Sequence, residues 1–118
     1  MMKQVEEFEV CARRLKALAE SERLRIVTSL FAGPKTVGDL AAELTDEVVK
    51  VSHHLGVLRN AGLVTATKRG RFVEYALHPA VSPAGKPNET LTAIDLGCCR
   101  LELSGSQPDS SRLKSRRA

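Results

Sequence analysis

Aromatic residues are scarce in this chain of 118 amino acids. It has no Trp, one Tyr and three Phe, which together make up 3% of the sequence. Sites that hold flat ligands or unpaired bases between aromatic rings need more of them, so stacking is excluded as a main means of recognition. The chain is long enough for one hydrophobic core but too short for two.

Long apolar runs are also missing. The longest stretch without a formal charge covers residues 75–85 and contains two prolines, whereas a membrane-spanning helix needs about 18 or more apolar residues. The first residues read Met-Met-Lys-Gln-Val-Glu-Glu and lack the apolar core of a signal peptide. The three cysteines are odd in number, which is typical of a reducing compartment. The sequence therefore predicts a soluble cytoplasmic protein with no membrane partner.

The positive charge is modest and unevenly distributed. The formal net charge is +4, and residues 104–118 hold four basic residues against one acidic residue, which leaves +1 for residues 1–103. Residues 104–118 also lack hydrophobic periodicity, so we predict a disordered basic tail there. Residues 1–103 are predicted to form the folded domain, and bulk charge alone gives little support for a nucleic-acid partner.

The first predicted helix carries a stripe of apolar side chains at intervals of three and four residues. Phe8, Cys11 and Leu15 lie on this stripe, with charged residues between them. The spacing is typical of an amphipathic helix. Such a stripe either packs on the domain's own core or contacts a second copy of the chain. Phe8, Cys11 and Leu15 are therefore the candidate dimer interface.

Three further helices are predicted after the first. The second is expected to follow Ser21 as its N-cap. Residues 36–39 read Thr-Val-Gly-Asp, which resembles a capping box with a shortened acid and predicts the start of the third helix. The fourth is expected over about residues 48–60, with Thr45 or Asp46 as its cap.

The second half of the chain has the pattern of β-structure. Two runs of residues that favour strands flank Lys-Arg-Gly-Arg at 68–71, which predicts a hairpin. Residues 78–90 contain three prolines and are predicted to be a loop. Residues 91–103 are apolar again, and because Gly97 argues against a helix we predict an extra strand. The α-α-α-α-β-β order predicts a mainly α-helical fold with a small β-wing, the winged helix-turn-helix.

This order of elements suits duplex DNA, because the major groove admits one helix whose outward side chains meet base edges. The predicted outward face of the fourth helix consists of Lys50, Ser52, His53, Gly56 and Arg59. The predicted hairpin tip adds contacts to phosphate or to the minor groove from Lys68, Arg69 and Arg71. Either element alone is common in proteins, but together they predict DNA binding.

Two other function classes compete with DNA binding. Asp46 and Glu47 lie near the start of the fourth helix, where they would repel phosphate. A winged-helix protein-interaction module that does not bind DNA is therefore the alternative. An enzyme is not expected, because the sequence has no nucleophile–base pair, phosphate-binding glycine loop or complete metal motif.

Three segments resemble the ArsR/SmtB family of bacterial winged-helix repressors. Residues 51–64 are similar to the family's VSHHLxxLRxAGLV, and residues 18–27 resemble its LADPTRLRIL. Residues 69–71 and Tyr75 resemble the REGRxxxY of the wing. The resemblance implies a homodimeric repressor that binds an inverted-repeat operator and is released by an inducer. It also implies that the first helix and the C-terminal segment, residues 91–103, form the dimer interface.

The two best-known metal sites of that family cannot be carried over to this chain. The arsenic-type site resembles CVCDL, but residues 36–40 read Thr-Val-Gly-Asp-Leu. The zinc-type site needs C-terminal histidines, and no histidine follows His78. No cofactor is expected to be required.

The thiols that remain are Cys11, Cys98 and Cys99. Thiolates suit As(III) or a soft divalent metal ion, so these cysteines are the candidate ligands of an inducer. On a strand Cys98 and Cys99 would face opposite sides, which predicts that a site uses one of them per subunit. A redox-regulated repressor without metal, and a simple packing role for the cysteines, remain as alternatives.

Overall fold

The computed structural model of the chain describes residues 2–82 and 91–104. The four helices are α1 (Met2–Ala17), α2 (Ser21–Leu30), α3 (Val37–Leu44) and α4 (Val48–Asn60). The strands are β1 (Lys35–Thr36), β2 (Val64–Arg69), β3 (Phe72–Leu77), β4 (Leu91–Asp95) and β5 (Arg100–Ser104). The predicted winged helix-turn-helix is confirmed. Most of the predicted loop 78–90 and all but the first residue of the predicted tail lie outside the described residues.

The core lies between the inner faces of the helices and is completed by β2 and the second hairpin. α4 shows why the sequence folds this way, because Val51, Leu55 and Leu58 recur at helical spacing and are all buried. Burial of one such side chain contributes about 1.5–3 kcal/mol. No helix among the described residues is long and apolar enough to span a membrane.

The capping box predicted at the start of α3 is confirmed. The Thr36 hydroxyl accepts a hydrogen bond from the N–H of Asp39 at 3.1 Å, and the Asp39 carboxylate accepts one from the N–H of Thr36 at 3.2 Å. Two of the otherwise unpaired N-terminal donors are satisfied in this way. The shortened acid therefore reaches far enough to complete the box.

The predicted caps of α2 and α4 are wrong. Glu20 is the N-cap of α2 and Glu47 that of α4, and neither side chain makes a capping hydrogen bond. Ser21 is already helical, because the carbonyl oxygen of Glu20 accepts the first helical hydrogen bond. Thr45 ends α3 in the left-handed conformation (φ 56°), and the Asp46 carboxylate accepts from the N–H of Glu47 at 2.8 Å. Thr45 and Asp46 therefore belong to the turn between α3 and α4, and neither caps α4.

The wing is the predicted antiparallel hairpin, and it is slightly longer than expected. β2 pairs with β3 from Val64 opposite Leu77 to Arg69 opposite Phe72, so only two residues form the turn. One of them, Gly70, has φ +64°, which suits a tight hairpin turn. β1 pairs with the other edge of β3 and gives a three-stranded sheet in the order β1-β3-β2.

The C-terminal segment is a second hairpin, where the sequence predicts one extra strand. β4 and β5 are antiparallel, and the N–H of Leu96 donates to the carbonyl oxygen of Cys99 at 2.8 Å to close the turn between them. Gly97 has φ +100° in this turn, a conformation that an L side chain rarely adopts. Ile94 and Leu96 are fully buried and anchor the hairpin in the core.

Candidate nucleic-acid interface and thiol cluster

The solvent-facing side of α4 is fully accessible, as predicted. Its exposed residues include Lys50, Ser52, His53, Gly56 and Arg59. A Cβ at Gly56 would have no heavy atom within 4 Å, so the middle of this face is open to close approach. Within the part of the chain that the structure describes, neither cation on this face forms an ion pair.

The adjacent histidines of α4 have different environments. His54 is half-buried, and its Nδ1 lies 3.0 Å from Nη1 of Arg23, so the guanidinium donates to the ring. Arg23 also donates to the carbonyl oxygen of Ala17 at 2.6 Å. His53 is exposed and touches only the edge of its neighbour, with 5.6 Å between ring centroids. His54 therefore holds α4 against α2, while His53 is free to contact a ligand.

The three predicted basic residues of the wing are exposed but differ in their pairing. Nε of Arg69 lies 3.3 Å from a carboxylate oxygen of Glu74 across the hairpin. Lys68 and Arg71 form no ion pair among residues 2–82 and 91–104. The wing also presents Phe72, which is 60% exposed and which sequence reasoning treated only as a strand residue.

The start of α4 carries a surface that the sequence reasoning overlooked. Val48 and Val49 are both exposed, Val49 by 76%, directly after Asp46 and Glu47. The helical wheel places Val49 on the outer face, but the emphasis on polar contacts passed over it. The start of the helix thus places exposed apolar and acidic side chains next to the cation of Lys50.

Three sulfur atoms converge where α1 meets the turn between β4 and β5. Cys11 forms a disulfide with Cys98, with 5.9 Å between their Cα atoms, and the Sγ atoms of Cys11 and Cys99 are 3.9 Å apart. All three sulfurs lie within 4.8 Å of one another. The prediction that Cys98 and Cys99 face opposite sides of a strand is wrong, because they lie in a turn. A single protomer therefore supplies all three candidate ligands.

A second cluster of potential ligands lies beside α4. Glu20, Glu22 and His54 have ligand atoms within 4.8 Å of one another. The guanidinium of Arg23 already occupies this place, since it donates to His54 and lies 3.7 Å from a carboxylate oxygen of Glu20. A metal ion would have to displace this cation, so the cluster is better explained as structural.

The three residues of the candidate dimer interface do not share one exposed surface. Phe8 is 59% exposed and Leu15 is 40% exposed, whereas Cys11 is fully buried against the second hairpin. Val5 is also exposed on the same side of α1. A second copy of the chain would therefore meet Phe8 and Leu15 but not Cys11.

Arg14 connects the thiol turn to the end of α4, a role that the sequence does not signal. It donates from Nη1 to the carbonyl oxygen of Leu96 at 3.2 Å, and its Nε is buried with no hydrogen-bond partner among the described residues. A Cβ at Gly62 or at Gly97 would lie 3.7–3.9 Å from the guanidinium. Both glycines have positive φ, and both let the backbone approach this side chain.

Comparison with known proteins identifies the scaffold. The family model described as "Bacterial regulatory protein, arsR family" matches residues 20–66. The NMR structure of the cadmium metal-sensor CmtR from Mycobacterium tuberculosis is 48% identical, with a TM-score of 0.51, and the match covers 56% of this chain and 69% of that chain. The chain belongs to the ArsR family.

Other ArsR-type proteins agree with this assignment. The regulator NmtR of Mycobacterium tuberculosis (strain ATCC 25618 / H37Rv) is 48% identical over 67 residues, which are 57% of this chain and 56% of NmtR. The match thus spans little more than half of the length of that relative. The homodimeric winged helix-turn-helix DNA-binding domain of Mb0332 from Mycobacterium bovis, a possible ArsR-family regulator, has a TM-score of 0.61 at 29% identity and covers 64% of this chain and 69% of that chain.

The region matched by the ArsR model runs from the residue before α2 into β2. It contains the whole outer face of α4 but none of the three cysteines, which lie at positions 11, 98 and 99. The match to the ArsR family therefore includes the outer face of α4 but not the basic residues at the wing tip. The thiol cluster has to be interpreted from its own geometry.

Proposed function

We propose that the chain is a homodimeric transcriptional repressor that binds an inverted-repeat operator in duplex DNA. The exposed face of α4 carries the proposal, because Lys50, Ser52, His53 and Arg59 offer hydrogen-bonding groups around an open position at Gly56. The major groove is about 12 Å wide and accepts a helix of this kind. Binding to DNA would place the protein in the cytoplasm.

The side chains on this face suit different parts of the groove. Ser52 and His53 are short and exposed, and they are assigned to base edges. Lys50 and Arg59 lie towards the two ends of the helix and are assigned to phosphates or guanines. Gly56 allows the helix backbone to approach the groove floor.

The wing supplies contacts that do not depend on sequence. Lys68 and Arg71 have no competing ion pair among the described residues, so their charges are available to phosphates or to a narrow minor groove. Arg69 contributes less in this proposal, because Glu74 lies 3.3 Å from it. Release of counterions by these residues would make the affinity dependent on salt.

The dimer interface is assigned to α1. Phe8 and Leu15 expose apolar surface on one side of this helix, and the related Mb0332 domain is described as homodimeric. A two-fold dimer presents two copies of α4, which matches the two halves of an inverted repeat.

The inducer in this proposal is As(III) or a soft divalent metal ion bound by Cys11, Cys98 and Cys99 in their reduced form. The three sulfurs lie within 4.8 Å of one another with the Cys11–Cys98 disulfide in place, so the thiolates released by its reduction start close enough to surround a trigonal thiophilic ion. The description of CmtR as a cadmium metal-sensor supports an inducer of this class. Arsenite or cadmium should release the reduced protein from DNA, and a variant with all three cysteines changed to Ser should not respond.

DNA binding is tested by selecting bound sequences from a pool of random duplexes and measuring affinity for a selected and an unselected duplex. We expect enrichment of an inverted repeat. His53→Ala should weaken binding to the selected duplex by about tenfold or more, as expected for the loss of a base contact. Its affinity for the unselected duplex should stay within about twofold. Equal losses on both duplexes would contradict a role of His53 in reading bases.

A protein-interaction module is the second candidate, and the start of α4 favours it. Exposed Val48 and Val49 next to Asp46 and Glu47 suit a protein surface better than a phosphate backbone. The same selection separates the two candidates, because an interaction module would enrich no DNA sequence.

A further inference from the structure

The three sulfur atoms at the junction of α1 with the β4–β5 turn are not equivalent. Cys11 is 0% exposed and bonded to Cys98, while the exposed thiol of Cys99 lies 3.9 Å from the Cys11 sulfur. A free thiolate beside a disulfide is the arrangement in which thiol–disulfide exchange occurs. We infer that this cluster is a redox switch in which Cys98 and Cys99 are alternative disulfide partners of Cys11.

The switch closes through a hydroperoxide, which is the oxidant class that suits an accessible thiolate. The thiolate of Cys98 attacks one peroxide oxygen, so that an S–O bond forms, the O–O bond breaks and the other oxygen leaves as water or an alcohol. The thiolate of Cys11 then attacks the sulfenic sulfur and expels its hydroxyl as water. Two thiols lose two electrons and two protons in total, and the peroxide is reduced.

Exchange inside the cluster follows from the position of Cys99. The Cys99 thiol loses its proton and its sulfur attacks the sulfur of Cys11, so that the bond from Cys11 to Cys98 breaks and Cys98 leaves as a thiolate that takes up that proton. No electrons are gained or lost in this step. Because Cys11 is shielded from solvent, a small thiol from solution has to attack the exposed sulfur of the turn instead. Reduction by an external thiol therefore releases Cys11 as the leaving group.

The redox state also decides whether the proposed inducer site exists. The closed state leaves one free thiol, Cys99, and holds the three sulfurs within 4.8 Å of one another, whereas reduction frees all three as ligands. A thiophilic ion and an oxidant thus react with the same sulfurs, so that binding of the ion and formation of the disulfide exclude each other. This inference rests on the proposed function for its effect on DNA, and it adds a second input to the same site.

Arg14 is the residue through which a change of disulfide in the β4–β5 turn would affect the position of α4. It lies one helical turn from Cys11, donates to the carbonyl oxygen of Leu96 and packs near Gly97 on one side and Gly62 on the other. Gly62 follows α4 by two residues. A change in the turn therefore moves the hydrogen-bond acceptor of a side chain whose guanidinium also lies beside Gly62, just past the end of α4. Arg14 is assigned as a positioning residue.

The test uses the full chain, reduced with dithiothreitol or treated with hydrogen peroxide, and follows two readouts. Differential alkylation with mass spectrometry identifies the disulfide, and fluorescence anisotropy measures affinity for a selected duplex. Oxidised wild-type protein should contain Cys11–Cys98, with Cys11–Cys99 as the exchange product. Its Kd should differ from that of the reduced protein by at least about fivefold, the lower end of ordinary coupling between sites.

Three variants isolate the parts of the switch. Cys98→Ser should still oxidise, to Cys11–Cys99, and keep its DNA response. Cys11→Ala should form neither disulfide and lose the response. Arg14→Lys should oxidise normally but respond by less than about twofold, whereas the matched Arg13→Lys should behave like the wild type. Circular dichroism of each variant checks that it is folded.

Two results would overturn the inference. If oxidised Cys98→Ser contains no Cys11–Cys99 disulfide, Cys99 is not an exchange partner. If wild-type protein binds DNA with the same Kd in both states, the disulfide is not a switch, and the proposed function stands. By contrast, disulfide formation without DNA binding in either state would contradict the proposed function and leave the thiol chemistry intact.

Discussion

The two regions of interest in this molecule are built in different ways. The outer face of α4 lies within a continuous stretch that the ArsR model matches, residues 20–66, and the wing begins inside that stretch and extends beyond it. The thiol cluster joins residues 87 positions apart, from α1 and the β4–β5 turn, all outside that stretch. If the proposed function holds, the ArsR scaffold supplies the DNA-binding surface, and the segments that flank it supply the inducer site.

Core packing should dominate the stability of the DNA-binding region. Leu55 on the inner face of α4 is fully buried, so Leu55→Ala should lower the free energy of unfolding by about 2–5 kcal/mol. Val49 on the outer face is 76% exposed, and Val49→Ala should change it by about 0.5 kcal/mol or less. Urea denaturation measures the free energy of unfolding of both variants. Similar losses would contradict the assignment of Leu55 to a buried face of α4 and of Val49 to an exposed face.

In the thiol region, the disulfide of Cys11 should make the largest contribution to stability. A Cys98→Ser/Cys99→Ser double variant removes both partners of Cys11. Without reductant it should be less stable than the oxidised wild type by about 2–4 kcal/mol, because a disulfide restricts the unfolded chain. With dithiothreitol the difference should nearly vanish, since both changed residues are exposed. A large difference that persists under reduction would mean that the turn is held by packing of the thiols.

The wing allows the effect on DNA affinity of Arg71, which has no ion pair among the described residues, to be compared with that of Arg69, which is paired with Glu74. Arg71→Ala should weaken binding to every duplex by about fivefold near 0.15 M salt and lower the salt slope by about 1, as expected for one lost phosphate contact. Arg69→Ala should have a smaller effect, because Glu74 already compensates its charge. A salt titration by anisotropy measures both variants, and a larger effect at Arg69 would reverse the assignment.

The smallest effect is expected at an ion pair that supports α3. Hydrogen bonds from Lys35 at 2.7 Å and from Ser29 at 2.9 Å lower the pKa of Glu43 below its usual 4.5. A lowered folded-state pKa stabilises the protein above the unfolded pKa, and this contribution is lost as the pH falls through the folded value. The pair is partly exposed, so Glu43→Gln should cost less than about 1 kcal/mol at pH 7.

The pH dependence of that variant provides its control. Wild-type protein and Glu43→Gln should converge in stability as the pH falls below 4.5, because the wild-type carboxylate becomes protonated. Thermal unfolding at several pH values measures this. A difference that grows with acidity would show that the carboxylate does not act through its charge.

Periodicity explains why so much of the candidate DNA-binding region could be predicted. Val51, Leu55 and Leu58 define the inner face of α4 and leave Ser52 and His53 outside, which requires no knowledge of the rest of the chain. The capping box of α3 and the hairpin of the wing are equally local. The caps of α2 and α4 were missed because they depend on where the turn between helices ends, a matter of one or two residues.

The thiol region could not be predicted in the same way, because it depends on contacts distant in sequence. Gly97 argues against a helix in this segment, but the sequence does not show that its positive φ reverses the chain and brings Cys98 and Cys99 to Cys11. Arg14 looked like an ordinary polar residue of an amphipathic helix. Its role depends on two glycines that are close to it only in the folded chain.

Hydroxyl-radical footprinting of the protein on a selected duplex would examine the proposed homodimeric operator binding at the level of single base pairs. We expect two protected patches, related by two-fold symmetry and spaced by one helical turn of about 10 base pairs or a multiple of it. His53→Ala should lose both patches together at protein concentrations that protect the wild-type complex. A single patch, or no protection at any protein concentration, would contradict the proposal that two copies of α4 bind one operator.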